Sequence, residues 1–305
     1  MHSLSCYEVF SLLITMIIVR IFTNYESNPP LKHIMEVWER AIEHPEYGKK
    51  IRFTEQDDYT HAIIVNTAMP ELHLPKSKVI GLTWEPAPFW PGCPSFKRYA
   101  KRHIGSYYLV QGFPIRRLGL PFKKGYTFMH HSIARPPNNP QKTKVMSIIF
   151  SAKRTTINHK YRHVLVKAIL RSKLPIDIYG RGCRSLPSDD EEDSRVKGEF
   201  PMNSDKPYTD YIYSIAIENV SVAGYISEKY KNCIVCNTVP VYLGCTNIEA
   251  YFPGCQIKLE GNLVRDMSTL NRLLQKPPEK FPLDQARGKL LGEYSLVRHC
   301  LNRWS

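Results

Sequence analysis

The chain has 305 residues, of which 43% are apolar and 23% are charged, and its formal net charge is +14. These values exclude a disordered protein and a small disulfide scaffold, and the length suits two domains of about 150 residues each. The positive charge favours anionic partners, either nucleic acid, a membrane surface or a phosphorylated small molecule. No nucleic-acid-type basic block, RNA-binding signature or zinc finger is present, so nucleic-acid binding is not expected.

The N-terminus carries an apolar run from Phe10 to Val19, between Glu8 and Arg20. A membrane span needs about twenty apolar residues, and a signal peptide needs a basic start and a small-residue cleavage site. The run therefore predicts a buried strand from Met16 to Phe22 behind a short apolar leader. A signal-anchor truncated at its start is the alternative.

Strand and helix patterns then alternate. An amphipathic helix is predicted from Leu31 to Ile42. The next three predicted strands are Lys50–Phe53, Ala62–Asn66 and Lys78–Thr83, and the last of them leads into Trp84, Glu85 and Pro86. The segment 134–142 contains three prolines and two asparagines, which is typical of an extended linker. We place a domain boundary there, between residues 1–138 and residues 139–305.

The second half repeats this order of elements. The predicted strands are Lys144–Phe150, Ile176–Tyr179, Tyr213–Glu218 and Val239–Leu243, and the predicted helices are Lys160–Ser172 and Ser227–Asn237. Two successive β/α halves predict an α/β protein with two Rossmann-like, doubly wound domains that face a cleft. The last helix is a candidate for packing back on the N-terminal domain.

Eight cysteines are present, and Cys233-x-x-Cys236 followed by Cys245 and Cys255 allows a zinc hypothesis. The first pair lies in a predicted helix, and the last spacing does not fit a usual zinc module. Structural, metal-free cysteines are the favoured interpretation.

The segment from Ile217 to Pro240 reads IENVSVAGYISEKYKNCIVCNTVP and predicts a strand, a loop and a helix. Ser227 is a candidate N-cap for the turn that carries Glu228 and Lys229. A helix N-terminus with a lysine suits a diphosphate, and Asn219 and Tyr225 can add neutral hydrogen bonds. An ordinary capped helix with a surface Glu-Lys pair explains the same spacing, so spacing alone does not decide.

This segment resembles the α1,3/1,4-fucosyltransferase signature F-E-N-S-x-x-x-D-Y-[IV]-[ST]-E-K, which is followed by a helix and V-P-[VI]-x-[LW]-G. The chain departs from it at Ile217, Val220 and Gly224. Upstream, Ser147–Ser151 and Leu174–Arg181 are similar to two further family strands. The resemblance covers about residues 144–255, and in the N-terminal half it is confined to the architecture and the loop around Glu85.

The resemblance implies a GT-B fold and an inverting transferase that moves fucose from GDP-fucose to a glycan hydroxyl, with an α1,3 linkage to GlcNAc or glucose. It implies Glu85 as the general base, and Arg162 and Lys229 as cations that bind the diphosphate. Asn219, Tyr225 and Glu228 complete the predicted donor site, and no essential metal or other cofactor is implied. Asp57, Asp58 and Glu71 are weaker candidates for the base because none follows a strand so directly.

Two alternatives stay open at this point: another nucleotide-sugar transferase on the same fold, and a catalytically decayed sugar-binding protein. The expected partners are GDP-fucose and an oligosaccharide or glycoconjugate acceptor. The length resembles compact microbial or viral members of the family, which favours a soluble or peripheral protein of the cytoplasm. A Golgi membrane protein is the alternative if the N-terminus acts as an anchor, and the net charge is compatible with contact to an anionic membrane.

Overall fold

The computed structural model describes residues 16–24, 50–90, 92–110, 113, 115–125, 133, 140–186, 193–201, 203–276 and 280–304. The predicted helix Leu31–Ile42, the apolar leader and most of the predicted linker lie outside these residues.

The first half forms a six-stranded sheet in which every described pair of neighbours is parallel. Its spatial order is β2-β1-β3-β4-β5-β6. The strands are β1 Ile17–Thr23, β2 Ile51–Thr54, β3 His61–Val65, β4 Val79–Leu82, β5 Ser106–Val110 and β6 Phe122–Gly125. Helix α1, Pro94–His103, precedes β5.

The second half forms another six-stranded parallel sheet, in the order β12-β11-β10-β7-β8-β9. Its strands are β7 Lys144–Ile149, β8 Ile176–Tyr179, β9 Val196–Gly198, β10 Tyr211–Ile217, β11 Val239–Leu243 and β12 Ile257–Lys258. The helices of this half are α2 Ile157–Arg171, α3 Glu228–Val235, α4 Leu263–Gln275, α5 Leu283–Leu291 and α6 Leu296–Trp304.

The predicted α/β architecture and the predicted strands of both halves are confirmed, with ends that differ by one or two residues. One difference matters for the site. Helix α2 begins at Ile157 rather than Lys160, because the Thr156 side chain accepts a hydrogen bond from the His159 N–H and so caps the helix earlier. Arg162 consequently lies in the second turn of α2.

Both faces of the first sheet are covered, as parallel sheets require. Alternate residues such as Ala62 and Ile64 point to the α1 side, where Phe96 and Ala100 are fully buried. Ile63 and Val65 point to the other side, which is covered by α6 through Leu296, Val297, Cys300 and Leu301. The last helix of the chain therefore packs on the first sheet.

A loop of the second half also packs against the first sheet. Tyr225, which follows β10, belongs to the same apolar cluster as Phe96 and Tyr107 of the first half, and it is only 2% exposed. Val220 and Val222 of the same loop pack against that cluster. The two sheets are thus joined by buried contacts at the loop that carries the fucosyltransferase-like motif.

Among the residues that the structure describes, no helix is both long and apolar enough to cross a bilayer.

The α6 interface carries two histidines. The His61 ring packs against Trp304 in a tilted arrangement with 4.5 Å between ring centroids, and His299 contacts Tyr108 edge-on at 4.8 Å. Burial, with a smaller contribution from Lys78, lowers the pKa of His61 to about 4, and burial also lowers the pKa of His299. Acidification therefore opposes this packing, since protonation favours the unfolded chain.

We expect the free energy of unfolding to be highest above about pH 6.5 and to fall as the pH drops from about 6.5 to 4. In this range His61 is protonated in the unfolded chain and stays neutral in the folded protein. The loss from His61 should be about 1–3 kcal/mol. The control is His61→Phe, which keeps an aromatic ring but cannot ionise. In urea unfolding, the free energy of unfolding should depend less on pH in this variant than in the wild type. Equal losses in both proteins would contradict the assignment.

Candidate active site

A cavity of about 430 Å³ lies between the two sheets and receives side chains from both. The first half contributes Asn24, Asn66, Glu85 and Phe89, and the second half contributes Lys153, Thr155, His159 and Asn219. Most of these residues follow the carboxyl ends of β1, β3, β4, β7 and β10, which is where open α/β sheets bind ligands.

Glu85 sits three residues beyond β4 in a turn that is held by Thr83. The Thr83 hydroxyl donates to the Glu85 carbonyl oxygen (2.7 Å) and accepts from the Glu85 N–H (3.1 Å). The Trp84 N–H donates to Asn66 Oδ1 (3.0 Å), which ties the turn to the end of β3. Glu85 therefore lies at a cavity, as the sequence predicts, and hydrogen bonds of Thr83 and Asn66 hold the backbone of its turn.

His159 and Asn219 face Glu85 from the second half. His159 Nε2 lies 2.9 Å from Asn219 Oδ1, and its Nδ1 lies 2.9 Å from Thr155 Oγ1. Burial, followed by the positive charge of Arg162, lowers the pKa of His159. A neutral ring suits both contacts, because Nε2–H then donates to Asn219 while Nδ1 accepts from the Thr155 hydroxyl.

The positive charge on this side of the cavity comes from Lys153, an exposed residue in the connection between β7 and α2. Thr155, one residue before the N-cap of α2, lines the same wall. A lysine beside a helix N-terminus presents a full positive charge and unpaired N–H groups, which together suit a phosphate group.

Arg162 does not line this cavity. Its side chain is 1% exposed, and its Nη2 donates to the Ile217 carbonyl oxygen at the end of β10. Burial, partly offset by Glu218 and Glu228, lowers its pKa to about 10. Direct contact with a diphosphate, as the sequence predicted, would require the surrounding residues to move, so the role of Arg162 as a clamp stays a prediction.

The turn of α3 is built as predicted at its N-cap. The Ser227 Oγ accepts from the Lys229 N–H (3.3 Å), and Lys229 Nζ lies 2.8 Å from Glu228 Oε1. The side chains of Lys229 and Glu228 are 14% and 31% exposed. Neither lines the cavity beside Glu85, and their predicted contacts with the donor stay predictions.

A buried carboxylate anchors the same turn from behind. Glu218 is fully buried, and its Oε1 accepts from the Ser227 N–H (2.8 Å) and from the Tyr242 hydroxyl (3.2 Å). Its Oε2 has no hydrogen-bond partner among the described residues. Burial raises the pKa of Glu218. Burial also lowers the pKa of the nearby, fully buried Lys231 to about 7, although the negative charge of Glu218 acts in the opposite direction. Glu218 thus connects the ends of β10 and β11 to the start of α3.

Comparison with known proteins finds a family match within the second half of the chain. Residues 139–258 match the family model described as glycosyltransferase family 10 (fucosyltransferase), C-terminal part. The resemblance seen in the motifs is thereby confirmed. A fucosyltransferase-like protein of Arabidopsis thaliana is 25% identical over 115 residues, which are 38% of this chain and only 20% of the length of that relative.

Solved structures support the fold. A crystal structure of an alpha1,3-fucosyltransferase with GDP has a TM-score of 0.50 at 12% identity, over 94% of this chain and 88% of that one. The corresponding structure with GDP-fucose gives a TM-score of 0.50 at 12% identity, over 95% and 89% of the two chains. An S. aureus TarM mutant bound to Fondaparinux, alpha-GlcNAc-glycerol and UDP gives 0.50 at 9% identity, over 80% and 54%. The predicted GT-B fold is confirmed.

One departure from the fucosyltransferase signature has a structural reason. Gly224 has a φ of +74°, and its N–H donates to Asn247 Oδ1 (2.8 Å) and to Cys245 Sγ (3.2 Å). Glycine adopts this left-handed conformation at little cost. The adjacent Tyr225 is directed into the apolar cluster of the first sheet, so its predicted contact with the donor stays a prediction.

The described residues contain no group of three or more histidine, cysteine or acidic side chains that could hold a metal ion. Cys233, Cys236, Cys245 and Cys255 are free and buried.

Of the six residues predicted for the site, the structure brings Glu85 and Asn219 together around one cavity. Arg162, Tyr225, Glu228 and Lys229 do not line this cavity. Sequence reasoning missed Asn24, Asn66, Lys153 and His159. Asn66 closes a predicted strand and Asn24 lies two residues beyond another, so a systematic search of strand ends would have found these two.

Proposed function

We propose that this protein transfers fucose from GDP-fucose to a hydroxyl group of a glycan, with inversion at C1 of the fucose. The observation that carries the proposal is the cavity between the sheets, because it sets a carboxylate, Glu85, opposite a wall with Lys153, His159 and Asn219. The family match of residues 139–258 supports fucose as the transferred sugar.

In the proposed reaction, Glu85 accepts the proton of the acceptor hydroxyl while that oxygen attacks C1 of fucose. The bond between C1 and the β-phosphate oxygen breaks, and GDP leaves with the electron pair. The carboxylate supplies general-base catalysis, and the opposite wall offsets the charge that develops on the leaving group.

The donor diphosphate is proposed to lie on the second-half side of the cavity, near Lys153 and the N-terminus of α2, with the α3 turn and Lys229 behind it. Cationic side chains and helix N-termini suffice to neutralise a diphosphate in this arrangement, so we propose a reaction without an essential metal. An α1,3 linkage to GlcNAc or glucose is the linkage that the resemblance favours.

Two measurements test the proposal. GDP should raise the melting temperature and UDP should not, since binding to the native state alone stabilises it. Incubation with GDP-fucose and a panel of glycans should yield fucosylated product detectable by mass spectrometry. If only UDP-sugars were turned over, the transferred sugar would not be fucose. If no nucleotide bound, the site would be catalytically decayed.

The cations should contribute separately to donor binding. We expect Lys153→Ala to weaken GDP binding about 10-fold, because a charge-assisted hydrogen bond is worth about 1.5–3 kcal/mol before solvent screening. Lys229→Ala should also weaken it, and both effects should shrink at high salt. Lys206→Ala removes an exposed charge before β10 and serves as the control. If calorimetry gave the Lys153→Ala and Lys229→Ala variants the same GDP affinity as the control, the diphosphate would have to bind elsewhere.

A further inference from the structure

The first-half wall of the cavity contains two amides that the fold places beside Glu85. Asn24 follows β1 and Asn66 follows β3, and these two strands are neighbours in the sheet. Their side chains therefore reach the same wall as the carboxylate, although they are 42 residues apart in the sequence.

The orientation of the Asn66 amide follows from its neighbour. The Trp84 backbone N–H, 3.0 Å away, can only donate, so the atom facing it must be Oδ1. The Nδ2 group then points away from the turn, and the described residues offer it no hydrogen-bond partner. Asn66 is 4% exposed, and burial together with the Trp84 contact holds its amide at the cavity wall.

Asn24 complements this donor. Its Nδ2 donates to Thr67 Oγ1 (3.2 Å), which leaves Oδ1 able to accept a hydrogen bond, and the residue lines the cavity. A donor and an acceptor on neighbouring strand ends match the paired donor and acceptor capacity of sugar hydroxyls. Phe89, which is half-buried, adds an apolar surface to the same wall.

Charge distinguishes this wall from the opposite one. Among the described residues, the first-half lining contains a carboxylate and no cation, whereas the second-half lining contains Lys153. A diphosphate would be repelled by Glu85, and so would an anionic group on the acceptor next to the reacting hydroxyl. Uncharged hydroxyl groups are not repelled by Glu85.

We propose that Asn66 Nδ2 and Asn24 Oδ1 form the acceptor subsite and that they select a neutral saccharide by binding a hydroxyl next to the one that Glu85 deprotonates. This proposal rests on the proposed fucosyl transfer and extends it to the acceptor class and to the residues that hold it. Asn66 has a second role as a positioning residue, because the same amide ties down the turn that carries Glu85.

The test compares transfer with acceptor-free hydrolysis of GDP-fucose. The acceptors are N-acetyllactosamine, lactose, chitobiose and sialylated N-acetyllactosamine. Asn24→Ala should lower the ratio of transfer to hydrolysis about 3- to 10-fold, the effect of one neutral hydrogen bond. Asn66→Asp keeps an oxygen for the Trp84 N–H and removes the donor, and it should lower the ratio at least as much. Asn271→Ala removes an exposed amide on α4 and is the matched control.

Monodeoxy versions of the best acceptor give the second readout. The analogue that lacks the contacted hydroxyl should react equally well with the wild type and with Asn24→Ala, because the contact is already missing. Equal falls in transfer and hydrolysis would assign the amides to the donor and overturn the proposal. So would hydrolysis by the wild type without transfer to any neutral acceptor, or a preference for the sialylated one. A wild type that neither hydrolyses GDP-fucose nor gains stability from GDP would instead refute the proposed function on which the subsite depends.

Discussion

Replacing Glu85 with glutamine is expected to lower fucose transfer about 100- to 10,000-fold, which is the usual contribution of a positioned general base. Glutamine has almost the same shape and keeps the turn held by Thr83 and Asn66, because those contacts use the backbone of residues 84 and 85. The affinity for GDP should therefore stay within about twofold of the wild type. Transfer rates at saturating donor, together with calorimetric GDP affinities, measure both quantities.

The control for this substitution is Glu71→Gln. Glu71 was the third alternative carboxylate, and its side chain is 87% exposed and does not line the cavity. Its removal should leave transfer unchanged. Near-normal turnover by Glu85→Gln would show that another group accepts the proton, whereas a parallel loss of GDP binding would show that the substitution disturbs the cleft as a whole.

The second large effect is expected at Glu218. Truncation to alanine should cost about 3–5 kcal/mol of unfolding free energy, since it leaves the buried basic side chains of Lys231 and Arg162 without this opposing charge and the Ser227 N–H without its acceptor. Glu218→Gln retains an oxygen for Ser227 and Tyr242 and should cost less. The difference between the two variants in urea unfolding separates the hydrogen bonds from the charge.

A matched control and a double substitution sharpen this test. Glu293→Ala removes an exposed glutamate and should change stability by no more than about 0.5 kcal/mol. Glu218→Gln combined with Lys231→Met should be less destabilising than the sum of the single changes, by about 1 kcal/mol or more. Additive losses would mean that the two buried charges do not interact.

Space around Glu218 also explains a glycine in the signature. A Cβ atom at Gly244 would lie 2.3 Å from Glu218 Cγ and 2.5 Å from the Tyr242 hydroxyl oxygen, closer than atoms can approach. Any side chain at the end of β11 would therefore displace the carboxylate that holds the start of α3.

Local patterns predicted eight of the twelve described strands, and missed β5, β6, β9 and β12. The eight could be seen because both sheets are parallel and buried. Apolar runs such as those of β3 and β4 mark such strands directly, and Ser227 marks the start of α3. The family motif lies within one continuous stretch, so its strand, loop and helix could all be seen in the sequence.

Contacts between distant segments were beyond local patterns. Asn24 and Asn66 meet Glu85 only because the spatial order of the strands is β1-β3-β4, and nothing in the sequence states that order. Tyr225 resembled a ligand contact because the sequence cannot show that its loop meets the apolar cluster of the other half. The predicted helix Lys160–Ser172 has Arg162 in its first turn, whereas the Thr156 cap starts the helix at Ile157 and moves Arg162 to the second turn.

The burial of Tyr225 and of α6 in the first half limits how this protein can be divided. A cut near residue 139 would strip Tyr225 from one apolar cluster of the first sheet and Leu296, Val297, Cys300 and Leu301 from the other, leaving uncovered apolar surface on both products. The second half is therefore not expected to fold as a separate, transferable domain. A chimera that joins it to the first half of another protein would also need complementary apolar surfaces for Tyr225 and for the last helix.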